Sequence, residues 1–317
     1  MRLGVDLISG DSGIKVTLPA CHRFLAKNPD VSLVVYTTSE YPVQPSGRID
    51  VVTCPQTVAM SDSVRSALRK KADTTMGCAL NDVVNERIHG LLSLGNTGAY
   101  MALAMKYVGL SSEYSRTAIC SAVPPHSDSF PVFMVDVGAN LTCAADDLLG
   151  FAKMAQQEML FKQQTCKVGL LNIGHEDTKG GALIKDTHQL LKADPTFDYV
   201  GYVEPKDIVA GKINIVVTDG FSGNIYIKSA SANIKHSFKT IFGQVKKHWL
   251  GLAGLSLSGR IVKQRFSSFA SPFTCAKFLG LNGVVAKCHG SSTSQDVICG
   301  LKLIKQWCEV KFHETVQ

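Results

Sequence analysis

Two rhythms alternate along the chain. Short apolar runs mark strand candidates at "RLGVDLI" (2–8), "VSLVVYT" (31–37), "RIDVVTC" (48–54), "GLLSL" (90–94), "PVFMVDV" (131–137), "CKVGLLNI" (166–173), "YVGYV" (199–203) and "INIVVTD" (213–219). Several are apolar at consecutive positions rather than at every second one, the pattern of a strand covered on both faces by helices. Between them lie segments of helical period such as "TMGCALNDVVNERI" (75–88) and "AADDLLGFAKMAQQEML" (144–160). Asp146 and Asp147 in the second suit the positive end of a helix. The alternation predicts an α/β fold with a doubly wound sheet. No repeat or low-complexity linker interrupts it, so a single domain is expected over 1–317, with an excursion at about 231–270.

Glycine-rich corners follow the apolar runs repeatedly. They are "LISGDSG" (7–13), "LSLGNTGA" (92–99), "VDVGAN" (135–140), "LLNIGHEDTKGG" (171–181), "VVTDGFSGN" (216–224) and "AKCHGSSTS" (286–294). In open α/β sheets ligands collect beyond the carboxyl ends of strands, where the next helix presents unpaired N–H groups. One such corner is ordinary loop geometry. Six, studded with Asn, Thr, Ser, Lys and His, predict a polar pocket on which they converge. Neither G-x-G-x-x-G nor G-x-x-x-x-G-K-[ST] occurs, which disfavours NAD and ATP, and no cofactor is expected. G-x-S-x-G is also missing, so covalent catalysis through Ser has no support. Backbone donors, one Lys and amides, without a protein nucleophile, suit a reaction in which a substrate anion attacks.

Ten cysteines stand singly with no C-x-x-C pair, which predicts reduced core thiols and no metal site. Cys288 precedes His289, but neighbours on a strand point to opposite faces, which argues against a Cys–His pair. The start of the chain lacks the features of a signal peptide and no run of eighteen apolar residues occurs, so a cytoplasmic location is expected. The net charge of +7 is local in origin: residues 228–317 hold 13 basic and 3 acidic residues, whereas 1–227 hold 20 and 23. No acidic residue lies between Asp219 and Asp296. Such a stretch expects an anionic partner.

Taken in order, "GNTGA", "VDVGAN", "VGLLNIG", "YVGYVE", "VVTDGFSGN" and "GLNGVVAKCHGSS" resemble the motifs of the PlsX family, the bacterial phosphate acyltransferases of phospholipid synthesis, over nearly the whole chain. The resemblance implies transfer of a long acyl chain from acyl carrier protein to inorganic phosphate, giving acyl phosphate and free carrier protein. It also implies a three-layer α/β/α Rossmann-like sandwich similar to isocitrate and isopropylmalate dehydrogenases, and a homodimer. In that family's pattern Lys179 and Asn224 are the catalytic pair: Lys179 offsets phosphate or oxyanion charge and Asn224 donates its amide to the intermediate. Gly95, Asn96, Thr97, Gly98, Gly220, Gly223, His289, Gly290 and Ser291 would cradle phosphate, with Asn96 and Thr97 adding side-chain donors. Helix capping by Asn96 or Thr97 alone is the plainer reading of that corner. A carboxylate repels phosphate, so Asp219 is expected to orient Asn224 and the loop amides. The pantetheine thiol, with a pKa of roughly 8.5, leaves without a strong general acid.

Two positions depart from the family pattern. Ser9 stands where the family has glycine, and Thr274-Cys275 replaces a Gly-Gly pair, which leaves acyl-chain preference open. In the excursion, Ile234, Phe238, Ile241, Phe242, Val245 and Trp249 recur at helical spacing among lysines. Packing on the sheet is one reading of that stripe. Another joins Trp249, Leu250 and Leu252 with Lys246 and Lys247 into a peripheral contact with an anionic membrane surface, where a glycerol-3-phosphate acyltransferase would consume the product. A third docks acidic carrier protein there. Nucleic acid finds no reader motif. Beside the enzyme stand two rivals: a catalytically weakened homolog acting as a membrane-associated docking protein, and a dehydrogenase of the same fold.

Overall fold

The computed structural model describes residues 1–11, 13–70, 73–123, 132–158, 166–245, 247 and 275–314. The chain runs β1 (Arg2–Asp6), α1 (Ile14–Lys27), β2 (Ser32–Thr38), β3 (Ile49–Cys54), α2 (Val64–Lys70), α3 (Thr75–Val84), β4 (Gly90–Ser93), α4 (Thr97–Tyr107), β5 (Ala118–Val123) and β6 (Val132–Val135). It continues α5 (Ala145–Glu158), β7 (Lys167–Leu171), α6 (Ala182–Ala193), β8 (Asp198–Val203), α7 (Pro205–Ala210), β9 (Ile215–Val217), α8 (Gly220–Val245), β10 (Cys275–Leu279), β11 (Val284–Cys288) and α9 (Ser294–Glu314).

All eight strands expected from the apolar runs form. Three more join them. β5, "AICSAV", is built largely of small side chains, while β10 and β11 carry Lys277 and Lys287, which break the apolar run that marks a strand. Lys277 is almost wholly buried, and its ammonium reaches the Glu158 carboxylate at 2.9 Å and lies over the Trp307 ring. Pairing of this kind is what lets a lysine occupy a core strand.

One sheet holds all eleven strands, in the order β3-β2-β1-β4-β11-β10-β5-β6-β9-β7-β8. It is mixed, not parallel throughout. β10 runs against both β11 and β5, and β5 runs against β6. The block β3-β2-β1-β4-β11 is parallel within itself, as is the block β6-β9-β7-β8. Because the reversals at the centre do not cancel, the two blocks point in opposite directions.

Helices cover both faces, giving three layers. One core packs α1, α5 and α9 against Leu3, Val5, Leu92, Cys120, Leu279 and Ala286. The opposite face packs α2, α3 and α4 against Val34, Leu91, Ile119, Phe278 and Val285. A smaller cluster beside the second joins Ile208 of α7 and Tyr226 and Ile227 of α8 to β6 and β9. The period-two alternation of side chains along each strand sorts residues between these cores. That sorting decides which polar residues meet.

Candidate active site

The opposed blocks place the glycine corners at two edges of the sheet. Those following β1, β4 and β11 share one edge; those following β6, β7 and β9 share the other. A groove of about 320 Å³ on the face that carries α3 and α4 brings three corners of the first set together with two of the second. Asp11, Thr97, Lys287, His289 and Gly290 line its first end, Gly138, Asn224 and Lys228 its second, and Ile119, Val137, Ala276 and Ile227 the apolar stretch between.

The first end rests on a buried carboxylate. Asp6, at the end of β1, accepts the Ser93 hydroxyl at 2.8 Å, and the Ser9 hydroxyl donates to the Asp6 carbonyl at 3.0 Å. In turn the Leu94 N–H donates to Ser9 Oγ and the Gly95 N–H to Ser93 Oγ. Burial pushes the Asp6 carboxyl above the usual carboxylate range, opposed by hydroxyl bonds from Ser93, Thr75 and Ser9. Ser9 is therefore structural here. A glycine in its place would leave the Leu94 N–H without this acceptor.

Gly95 packs under Met76, whose terminal methyl would have to move to admit a Cβ, since it would stand 2.0 Å away. Gly10 has φ of 85° and passes under Gly290, whose carbonyl accepts the Asp11 N–H at 2.9 Å. Gly98 packs against Val64, and α4 begins at Thr97. Asn96 makes the bonds of a cap. Its Oδ1 accepts the Ala99 N–H to cap α4, and its Nδ2 donates to the Met60 and Asp62 carbonyls. The amide expected to contact phosphate is thus committed to holding the 60–62 turn, and capping describes it. His289 Nδ1 and the Ser291 hydroxyl lie 2.9 Å apart, and the Ser291 N–H donates to the same nitrogen.

A second buried carboxylate organises the other end. Asp136 Oδ1 accepts N–H groups of Ile119, Gly138 and Ala139, and Oδ2 accepts those of Ala139 and Asn140 and the Asn140 side-chain amide. Burial raises its pKa, and these donors counter the shift. The turn it holds is the seat of α8: the Gly220 N–H donates to the Asn140 carbonyl at 2.8 Å, and a Cβ on Gly223 would lie 2.0 Å from the Asp136 carbonyl oxygen. Gly138, with φ of 139°, leaves room for Asn224, whose amide lies 3.5 Å from where a Cβ would be. Asp219 accepts the N–H and hydroxyl of Ser222, so it orders the first turn of α8 and fixes Asn224 through the helix, not by direct contact.

Of the residues expected at the site, the groove gathers Thr97, Asn224, His289 and Gly290 in its lining. Gly95, Gly220 and Gly223 lie buried behind it as close-approach positions. Lys179 is not among the lining residues. It is exposed on the loop after β7, its N–H donating to the Glu176 carbonyl. Five of the six corners thus meet at this groove, and the corner after β7, which carries Lys179, is the one that contributes no lining residue. Sequence reasoning missed Lys287, Lys228 and Ser121 in this lining. The signal for the first was present in "AKCHG", one residue upstream of the Cys288-His289 pair that drew attention instead.

The outer part of α8, residues 231–245, carries no buried side chain among those described, and Ile234, Phe238, Phe242 and Val245 share a half-buried stripe with Phe238 and Phe242 rings 4.2 Å apart. Ile241 and Lys247 are exposed. Lys246, Trp249, Leu250, Leu252 and Thr274 lie outside the described residues. Among the described residues no helix is long and apolar enough to cross a membrane.

Comparison with known proteins gives this geometry its family. The profile of the family described as "Fatty acid synthesis protein" matches residues 1–315. The phosphate acyltransferase of Bordetella parapertussis is 34% identical over 303 residues, covering 92% of this chain and 86% of the relative. Among solved structures, a branched-chain phosphotransacylase from Enterococcus faecalis shares the fold with a TM-score of 0.58 at 14% identity, over 96% of this chain and 99% of that one. A putative 4-hydroxythreonine-4-phosphate dehydrogenase from Salmonella typhimurium does so with a TM-score of 0.55 at 12% identity, over 96% and 99%. At such identities the two structures speak for the three-layer fold alone. The sequence match extends almost end to end, and by it this chain belongs to the fatty acid synthesis protein family, the PlsX phosphate acyltransferases, and is an acyltransferase.

Proposed function

We propose that the groove brings inorganic phosphate against the thioester of an acyl chain carried by acyl carrier protein and releases acyl phosphate and free carrier protein. The observation that carries this reading is the meeting of Asn224 with Thr97, His289 and Gly290 around one cavity, although they come from opposite edges of the sheet. An apolar middle between polar ends suits a ligand that is anionic at its reacting end and hydrocarbon beyond it.

Phosphate is already a nucleophile at neutral pH, so the protein's task is to hold it in line with the carbonyl carbon and to stabilise the developing oxyanion. A phosphate oxygen bonds to that carbon, the C–S bond breaks, and the electron pair leaves on the thiolate, which takes its proton from water. Asn224 donates its amide to the oxyanion. Thr97 and the Gly290 backbone border the phosphate.

Purified protein with phosphate and palmitoyl carrier protein should release free thiol and form hydroxylamine-trappable acyl phosphate in equal amounts. Thiol release that ignores phosphate would remove the reading.

The outer part of α8 supports a second component of the proposal, contact with an anionic bilayer from which a membrane glycerol-3-phosphate acyltransferase takes the product. A 26-residue helix extends about 39 Å at about 1.5 Å per residue, so its far turns reach well beyond the sheet. Their half-buried apolar stripe lies in the part of the chain from which acidic residues are missing. The double variant Ile241→Asp, Lys247→Glu should float less with phosphatidylglycerol vesicles than the parent protein; equal flotation would count against this contact. Homodimerisation belongs to the same proposal, and a monomeric mass by light scattering would eliminate it.

A further inference from the structure

The face of the sheet beneath the groove carries a row of residues in register. Ser93 of β4 pairs with Lys287 of β11, Lys287 with Ala276 of β10, and Ala276 with Ser121 of β5. All project to the same face, since Ala286 and Cys288 on either side of Lys287 pack into the opposite core. At roughly 4.8 Å between neighbouring strands, Lys287 and Ser121 stand about 10 Å apart with only the methyl of Ala276 between them. That gap forms part of the groove floor.

Two features of this row are unusual. Lys287 donates from Nζ to the Cys288 carbonyl at 2.8 Å, yet among the described residues it has no carboxylate within ion-pair distance. Its counterpart on the neighbouring strand, Lys277, faces the other core and has Glu158 at 2.9 Å. The fold thus neutralises one core-strand lysine and leaves the charge of the other facing a cavity. Burial lowers the Lys287 pKa, opposed by the Cys288 and Cys275 thiols and by Asp11, so an anion bound beside it would favour the ammonium form. The second feature is Ser121. The residue lines the groove, while its hydroxyl is shielded from water, finds no hydrogen-bond partner among the described residues and would meet a ligand by rotating about the Cα–Cβ bond. A buried hydroxyl without a partner is costly, and a ligand that supplies one recovers that cost.

We propose that Lys287 is the cation that binds inorganic phosphate in the groove, with the Ser121 hydroxyl as a second contact across Ala276. The proposal rests on the groove being the acyl-transfer site, and it assigns to Lys287 the charge compensation that family resemblance gives to Lys179. Lys287 transfers no proton in this assignment. Its charge offsets the phosphate dianion while one phosphate oxygen attacks the thioester and the thiolate departs. Asp11 lines the same end and acts electrostatically on Lys287 without pairing with it.

The test separates phosphate binding from acyl transfer. Inorganic phosphate is titrated by ³¹P NMR into the wild type, Lys287→Met, Lys287→Arg, Ser121→Ala and Lys179→Met, with exposed Lys185→Met as the charge control. The phosphate KM and kcat are measured in parallel with palmitoyl carrier protein. Loss of one charge-assisted contact should weaken phosphate binding by roughly 10–100-fold in Lys287→Met and raise the phosphate KM with it. Lys287→Arg should restore part of this, and Ser121→Ala should weaken binding a fewfold. If Lys287→Met fails to fold, as judged by circular dichroism, Lys287→Gln takes its place beside Ser121→Ala, and phosphate affinity unchanged in both would overturn the proposal. So would wild-type affinity in a folded Lys287→Met, or binding lost in Lys179→Met and kept in Lys287→Met. Lysine-dependent phosphate binding without acyl phosphate formation would uphold the Lys287 site and sink the acyl-transfer reading. Acyl phosphate formation with an unchanged phosphate KM in Lys287→Met would do the reverse.

Discussion

Asn224→Ala should lower phosphate-dependent thiol release by about 10²–10³-fold, the usual consequence of deleting one oxyanion donor. The melting temperature should move little, because the Asn224 side chain packs over Gly138 at the groove and its helix is held by other groups. Those groups are the Asp219–Ser222 cap and the Gly220–Asn140 bond. A loss in kcat with an unaltered phosphate KM would place the amide on the transition state, whereas a raised KM alone would place it on bound phosphate. Turnover within threefold of wild type, measured on a variant with a native melting curve, would exclude Asn224 from the chemistry.

A larger structural effect is expected at Gly223. An added methyl would sit 2.0 Å from the Asp136 carbonyl oxygen and 2.9 Å from Thr218 Cγ2, and the first of these neighbours is backbone. Backbone gives way only by moving an element, so Gly223→Ala should shift the start of α8 away from the 136–140 turn and carry Asn224 with it. Overpacking of this kind costs about 1–3 kcal/mol and occasionally more. Activity should fall below that of Asn224→Ala, because geometry and donor are lost together. Gly150 gives the contrast within the same chain: it lies in α5 with nothing within 4 Å of the place a methyl would take, and Gly150→Ala should stabilise by about 0.5–1 kcal/mol. Thermal denaturation of the two variants checks both signs. A Gly223→Ala protein that melts and turns over like wild type would show that the contact between α8 and the Asp136 turn does not set the site.

The two ends of the groove follow one plan. Each is built on a buried aspartate at a strand terminus, Asp6 or Asp136, whose oxygens hold hydroxyl or N–H groups of the adjoining turn. Neither carboxylate lines the groove. Asp136 meets donors at both oxygens, whereas Asp6 accepts the Ser93 hydroxyl at one and leaves the other without a partner among the described residues.

Much of this was legible in the residues. Continuous apolar runs were sufficient for eight strands because burial on both faces leaves a strong compositional trace, and glycine marked the close approaches at 220 and 223 because backbone stands where a side chain would go. Asn96 shows the limit. A cap and a phosphate ligand call for the same residue at the same place, and only the Met60 and Asp62 carbonyls, more than thirty residues earlier in the chain, distinguish them. Lys179 and Lys287 show it again. Each stands beside a glycine-rich turn, but one lies on an exposed loop and the other on a central strand facing a cavity.

Local sequence, then, determined eight of the eleven strands and, through its ordered motifs, the family, because strand burial and steric exclusion act on neighbours in sequence. Strand direction and side-chain facing were decided by long-range pairing. The antiparallel joins at β10 and between β5 and β6 turn one half of the sheet against the other, so that corners which all follow strands end at opposite edges. Whether a lysine then meets a carboxylate or a cavity depends on which face of the sheet it occupies and what packs there, and that is settled only when the sheet is assembled.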